Sequence, residues 1–165
     1  MRYIIYSLFL YTSLVLNAQV SPDTLDLKKF SGKWYVLASI PTCFDKNWHN
    51  ITETYTLTDN GSIDIYIAYV KKEGTEIKEL KAKGFPYKEN KNTEWEVQFI
   101  WPFTSGYLIE ELGPDYSYAV VGHPQKLYLY IMTRTGKIDE LLYSEILMRY
   151  MKKGYQVNDL KVVIR

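Results

Sequence analysis

Cysteine is nearly absent from this chain: one residue, Cys43, in 165, so no intramolecular disulfide can form and the fold must rest on its core. Histidine is almost as scarce, with only His49 and His123. One thiol and two scattered imidazoles leave no set with the spacing of a structural zinc site. Neither histidine stands beside a nucleophile elbow or any other marker of hydrolytic chemistry. Charge of one sign is missing too, with 20 Lys+Arg against 19 Asp+Glu. That balance disfavours nucleic acid or an anionic membrane surface as the main partner, since both require a basic face. No internal repeat or low-complexity stretch is present. Long hydrophobic runs are confined to residues 1–18, MRYIIYSLFLYTSLVLNA, where one basic residue, an apolar run and a small residue at Ala18 have the layout of a secretory signal. Removing it takes away Arg2 and no acid, which leaves a formally neutral mature chain, residues 19–165, as one domain.

Aromatic residues, by contrast, are abundant: 16 Tyr, 4 Trp and 6 Phe, together 16% of the chain. They suit pleated, half-buried surfaces better than helices. Residues 34–134 read as short period-two segments separated by turn residues. The segments are 34–40, 51–58, 63–70, 77–85, 95–101, 107–112, 116–121 and 127–134. Asp59-Asn60-Gly61 is the strongest turn signal, because Asn-Gly supplies the positive φ of a tight hairpin. Pro102 ends the fifth segment, having no N–H for a ladder. Eight antiparallel strands on short hairpins close into a small up-and-down barrel, which abolishes sheet edges and leaves room for side chains or one small ligand. Past Gly136 the period changes, and 139–153 reads as a helix ending at Lys152-Lys153-Gly154. Ile138, Leu141, Leu142, Ile146 and Met148 form the face expected against the barrel wall, and Val162-Val163-Ile164 offers an extra edge strand. The expected architecture is therefore all-β, with one C-terminal α-helix packed outside.

Three motifs in order carry a family resemblance. Gly32-Lys33-Trp34-Tyr35 follows Leu27-Lys28-Lys29-Phe30, a turn placed to plug a barrel base; Gly113-Pro114-Asp115-Tyr116 stands at a later hairpin; Tyr130-Ile131-Met132-Thr133-Arg134 ends the eighth segment. With them the chain resembles the lipocalins, specifically the bacterial outer-membrane and apolipoprotein D branch, over residues 25–165. The resemblance implies a calycin-type barrel in which Gly32, Trp34, Asp115, Tyr116 and Arg134 are structural, with the Arg134 guanidinium lying on the Trp34 indole. It also implies a fatty acid or lysophospholipid as ligand, a role in envelope lipid storage, transport or maintenance, and export to the periplasm or beyond, with peripheral outer-membrane association in reach. No cysteine stands at the end of the leader, so no lipid anchor is expected. Monomer and homodimer both remain open.

Alternation along a strand extends this to individual side chains, since a residue fixed inside marks every second neighbour as inside. Counting from Trp34 and Arg134 puts Val36, Ala38, Tyr128, Tyr130 and Met132 in the cup. The rows Ile63, Ile65, Ile67, Tyr69 and Trp95, Val97, Phe99, Trp101 read as wall. Glu53 shares its face with Ile51, Tyr55 and Leu57, while Thr52, Thr54, Thr56 and Thr58 take the other. A carboxyl there is costly unless hydrogen-bonded, protonated or wetted. Glu53, with Tyr55 or Tyr130, is thus the expected partner of a ligand head. A dozen buried methylenes supply roughly 10 kcal/mol before ordering costs, so binding needs no cofactor or metal. The Tyr content suits lining better than haem ligation. The rival readings are an isomerase-type lipid-modifying enzyme using Cys43, whose thiol has only Lys46 and His49 nearby in sequence, and a structural envelope barrel filled by its own aromatics.

Overall fold

The computed structural model describes residues 22–72 and 74–163. The leader reading of residues 1–18 lies outside them, as does Ile164. A one-turn helix, α1 (Leu27–Phe30), enters the barrel at its base, its N-terminus capped by Asp26, whose carboxylate accepts from the N–H groups of Lys28 and Lys29. Eight strands follow in sequence: β1 (Gly32–Ile40), β2 (Trp48–Leu57), β3 (Ile63–Lys71), β4 (Ile77–Pro86), β5 (Glu94–Ile100), β6 (Phe103–Leu112), β7 (Tyr118–Gly122) and β8 (Leu129–Thr133). Each pairs antiparallel with its neighbour in sequence, and β1 pairs with both β8 and β2, so the sheet closes on itself. The expected eight-stranded up-and-down barrel with one C-terminal helix is the observed fold.

Several boundaries shift for identifiable reasons. Strand β6 begins at Phe103 rather than Tyr107, because the chain reverses within Trp101-Pro102 and continues the ladder at once. The seventh strand begins at Tyr118, since Pro114–Tyr116 form a 3₁₀ turn in which Asp115 and Tyr116 have positive φ. The C-terminal strand β9 (Lys161–Val162) adds at the end of the sheet, beside β1, as the expected extra edge strand. Lower down, β1 pairs with β2 from Gly32 to Tyr35. Where the two diverge, β9 pairs with Ala38 and Ser39, and Val163 donates to Leu37 O and accepts from Asn50 N, filling the gap between them.

The barrel separates two apolar clusters. One, inside, contains Phe30, Trp34, Val36, Tyr55, Ile65, Ile67, Trp95, Val97, Tyr107, Tyr128 and Met132 among others. The other lies outside, where α2 (Glu140–Lys152), capped by Asp139, covers Val120, Leu129 and Ile131 with Ile146 and Tyr150. Leu141 and Met148, expected on the packed face, point to water instead: Leu141 is 77% exposed. Tyr143, Leu147 and Tyr150 take their place beside the expected Ile138, Leu142 and Ile146, because the packed stripe follows the 3.6-residue period through Ile146 and Tyr150. Arg149 bridges to Glu111 and Lys153 to Glu110, tying the end of the helix to β6.

Candidate functional site

The base of the cup is built by the motif residues. The Trp34 indole is fully buried, and its Nε1 donates to Phe30 O at 2.9 Å. The Arg134 guanidinium lies 3.7 Å from the indole centroid and donates to the carbonyls of Lys29 (2.7 Å), Phe30 (3.0 Å) and Lys33 (3.0 Å). One cation therefore caps the indole and satisfies carbonyls at the end of α1 and the start of β1, sealing that end. Gly32, at φ +96°, lets the chain turn into β1 beside Arg134, where a Cβ would sit 3.4 Å from its Nη1. The Tyr116 hydroxyl accepts from Asp26 N at 3.0 Å, while Asp115 is exposed on the turn.

Above the base, Val36, Met132 and Tyr128, placed inside by counting from Trp34 and Arg134, are buried in the inner cluster with Ile65, Ile67, Val97 and Tyr55 of the apolar rows. Glu53 is 6% exposed, and its Cα partners are Trp34 on β1 and Ile67 on β3, so its carboxyl belongs to the same inner face. It accepts from the Tyr55 hydroxyl, which also bonds that of Tyr107. Burial, only partly offset by the Tyr55 bond, pushes the Glu53 carboxyl up to about 7, with Asp45 adding repulsion. Nearer the mouth, Tyr130 donates to Asp45 Oδ2 at 2.9 Å, and Asp45 Oδ1 also accepts from Thr42 N and Oγ1, both at 2.6 Å. Tyr128 donates to Gly106 O at 2.6 Å, its ring centroid 5.1 Å from that of Tyr130. Burial raises the tyrosine hydroxyls of 55, 107, 128 and 130, which keeps them neutral donors.

Three expected wall residues are elsewhere. A β-bulge after Val36 reverses the phase of β1. Val36 is opposite Met132, but Ala38 is opposite Ile131 of the outer cluster, so Ala38 lies on the outer face. Ser39, opposite Tyr130, takes the inner face. A second bulge between Gln98 and Ile100 and the hairpin tip carry Phe99 and Trp101 to the rim. Phe99 is 44% exposed and Trp101 80%. Both border a cleft of about 480 Å³ where β4 and β5, paired only from Lys83 to Pro86 on β4, have separated. Cys43 is exposed in the β1–β2 loop.

Alternation did not single out three cup residues. Tyr107 was within reach of it, as the cross-strand neighbour of Trp95. Ser39 needed the bulge, and Asp45 is a loop residue whose return to the barrel leaves no local signal. Among the described residues no cluster of His, Cys, Asp and Glu suits a metal ion, and no helix is long and apolar enough to cross a membrane.

A closed eight-stranded barrel sealed by a Trp–Arg pair, with an inward wall of apolar and hydroxyl-bearing side chains, defines a class of barrel proteins that bind small hydrophobic ligands. The chain belongs to the lipocalin-like domain family, which it matches over residues 25–165. It is 29% identical over 147 residues to temperature-induced lipocalin-1 of Arabidopsis thaliana, covering 82% of this chain and 77% of that protein. It is 26% identical over 159 residues to the outer membrane lipoprotein Blc of Vibrio cholerae, covering 95% and 93%. Among solved structures, lobster apocrustacyanin A1 shares the fold with a TM-score of 0.66 at 14% identity, over 84% of this chain and 78% of that one.

Proposed function

We propose that the protein carries a small lipophilic ligand, of the fatty acid or lysophospholipid class, non-covalently in the barrel cup. The observation that carries this reading is the sealed base under an apolar wall. Trp34 and Arg134 close one end, and Val36, Ile65, Ile67, Val97 and Met132 face a column of tyrosine hydroxyls. Apolar burial supplies affinity without directional chemistry, while the few polar groups fix orientation. Relatives that are outer membrane lipoproteins support an exported protein acting in envelope lipid storage or transport. In this proposal it works without a lipid anchor, touching the outer membrane only peripherally.

Native mass spectrometry of the purified mature protein, followed by solvent extraction of whatever accompanies it, tests the reading. A stoichiometric lipid is the expected result. No adduct, even after incubation with fatty acid, lysophospholipid and a neutral fluorescent probe, would overturn it in favour of a barrel filled by its own aromatics.

A further inference from the structure

Fatty acids and lysophospholipids differ in the charge of the group that must be accommodated, and the cup has a charge of its own. Two carboxyl groups, Glu53 and Asp45, each accept a hydrogen bond from a tyrosine of the inner wall, Tyr55 and Tyr130. Both are at least nine-tenths buried, and neither forms an ion pair among the described residues. Glu53 is acted on by Tyr55 on its own strand and Asp45 in the β1–β2 loop, and acts in turn on Tyr107 of β6, Tyr128 just before β8 and Tyr130 within it. One cation, the Arg134 guanidinium on the Trp34 indole, also acts on Tyr55, but it is already engaged by the carbonyls of Lys29, Phe30 and Lys33. Beside the column, the Ser39 hydroxyl is 1% exposed and has no hydrogen-bond partner, although its register opposite Tyr130 turns it to the cup. A buried hydroxyl without a partner is an uncommon feature that a bound polar group would relieve.

Resting on the reading of the protein as a carrier of a lipophilic ligand, we propose that the cup selects an amphiphile whose head carries an organic cation, an amine or quaternary ammonium, over one that carries a carboxylate. The head lies among Glu53, Asp45 and the faces of the surrounding tyrosines, within reach of the Ser39 hydroxyl. A fatty acid carboxylate placed there would meet two carboxyl groups, while the one nearby guanidinium, Arg134, is taken up by three backbone carbonyls. An ammonium meets two carboxyl groups in a low-dielectric site, together with aromatic faces that attract cations. Glu53 also gives the preference a pH dependence. As the pH rises through neutrality its carboxyl ionises, which strengthens attraction for a cation and repulsion of an anion. The ammonium has two natural sources, a lipophilic amine or the choline head of a lysophospholipid.

Displacement of the neutral fluorophore N-phenyl-1-naphthylamine by chain-matched amphiphiles, below their micellar concentrations, tests the proposal on the intact mature protein. Tetradecyltrimethylammonium is expected to bind at least about tenfold more tightly than myristate at pH 8.5, with the gap narrowing at pH 5.5. Lysophosphatidylcholine separates the sources: displacement at concentrations matching the simple ammonium assigns a phospholipid head, and much weaker displacement assigns a lipophilic amine. Glu53→Gln is expected to shrink the ammonium-to-myristate ratio severalfold and flatten its pH dependence. The readout is a ratio, so a general loss of affinity does not move it. Equal affinities, or tighter myristate at pH 8.5 in the unmodified protein, would overturn the proposal while leaving the carrier reading intact. Failure of the fluorophore and every amphiphile to bind would overturn both.

Discussion

Replacing Arg134 with alanine should remove the seal of the barrel base, and the structure sets the size of the effect. The guanidinium contributes a cation–π contact at 3.7 Å with a fully buried indole, worth about 1 kcal/mol in a half-exposed setting. It also makes three hydrogen bonds of 2.7 to 3.0 Å to the carbonyls of Lys29, Phe30 and Lys33. Each is charge-assisted but reachable by water once the side chain is gone, so about 1 kcal/mol apiece is appropriate. The expected loss is therefore about 3–4 kcal/mol, a large fraction of the roughly 5–15 kcal/mol that holds a domain folded. Arg134→Lys keeps a cation near the indole but cannot span three carbonyls, and should lose about half as much. Equilibrium urea unfolding followed by tryptophan fluorescence measures both, with a shifted midpoint at unchanged slope as the signature of a pure stability change. A loss below about 1 kcal/mol for the alanine variant, or a lysine variant as stable as the parent, would refute the assignment of Arg134 as the residue that closes the base.

Three further outcomes follow from the same geometry. The folded chain holds the Glu53 proton up to about pH 7, whereas the carboxyl's ordinary value is 4.5, so the folded state binds the extra proton between those limits and stability falls as pH rises through them. The loss attributable to this group is about 3 kcal/mol, and Glu53→Gln should flatten it in unfolding curves recorded from pH 4.5 to 8; an unchanged slope would show that Glu53 is solvated. Ile146→Ala, which empties a fully buried position between α2 and the barrel wall, should cost about 3 kcal/mol in thermal or urea unfolding, while Leu141→Ala on the exposed side of the same helix should stay within about 0.5 kcal/mol. Trp101→Ser should likewise change stability by less than about 0.5 kcal/mol, because the indole stands at the rim; a loss of several kcal/mol would return it to the wall.

The sequence alone carried the architecture, because the signals that specify a small barrel are local. Period-two segments and an Asn-Gly turn need no knowledge of distant residues. Gly32, Trp34 and Arg134 were legible as a set through the family resemblance that their three motifs carry. Alternation then located Glu53, Tyr55, Tyr130 and Met132 on the inner face, where the strands run without interruption from the base.

What the tertiary structure decided lies where that regularity breaks. The bulge after Val36 sends Ala38 outward and brings Ser39 in, and the bulge near Ile100 carries Phe99 and Trp101 to the rim. A bulge inserts one unpaired residue and so inverts every later assignment along its strand, yet the hydrophobic pattern of LASI or QFIW looks the same with or without it. The approach of Asp45 to Tyr130, 85 positions away, and the bridging of Leu37 and Asn50 by Val163 are likewise products of closure. Periodicity tells which face of a strand is apolar, but the charge inside the cup is set by residues that only the closed barrel brings together.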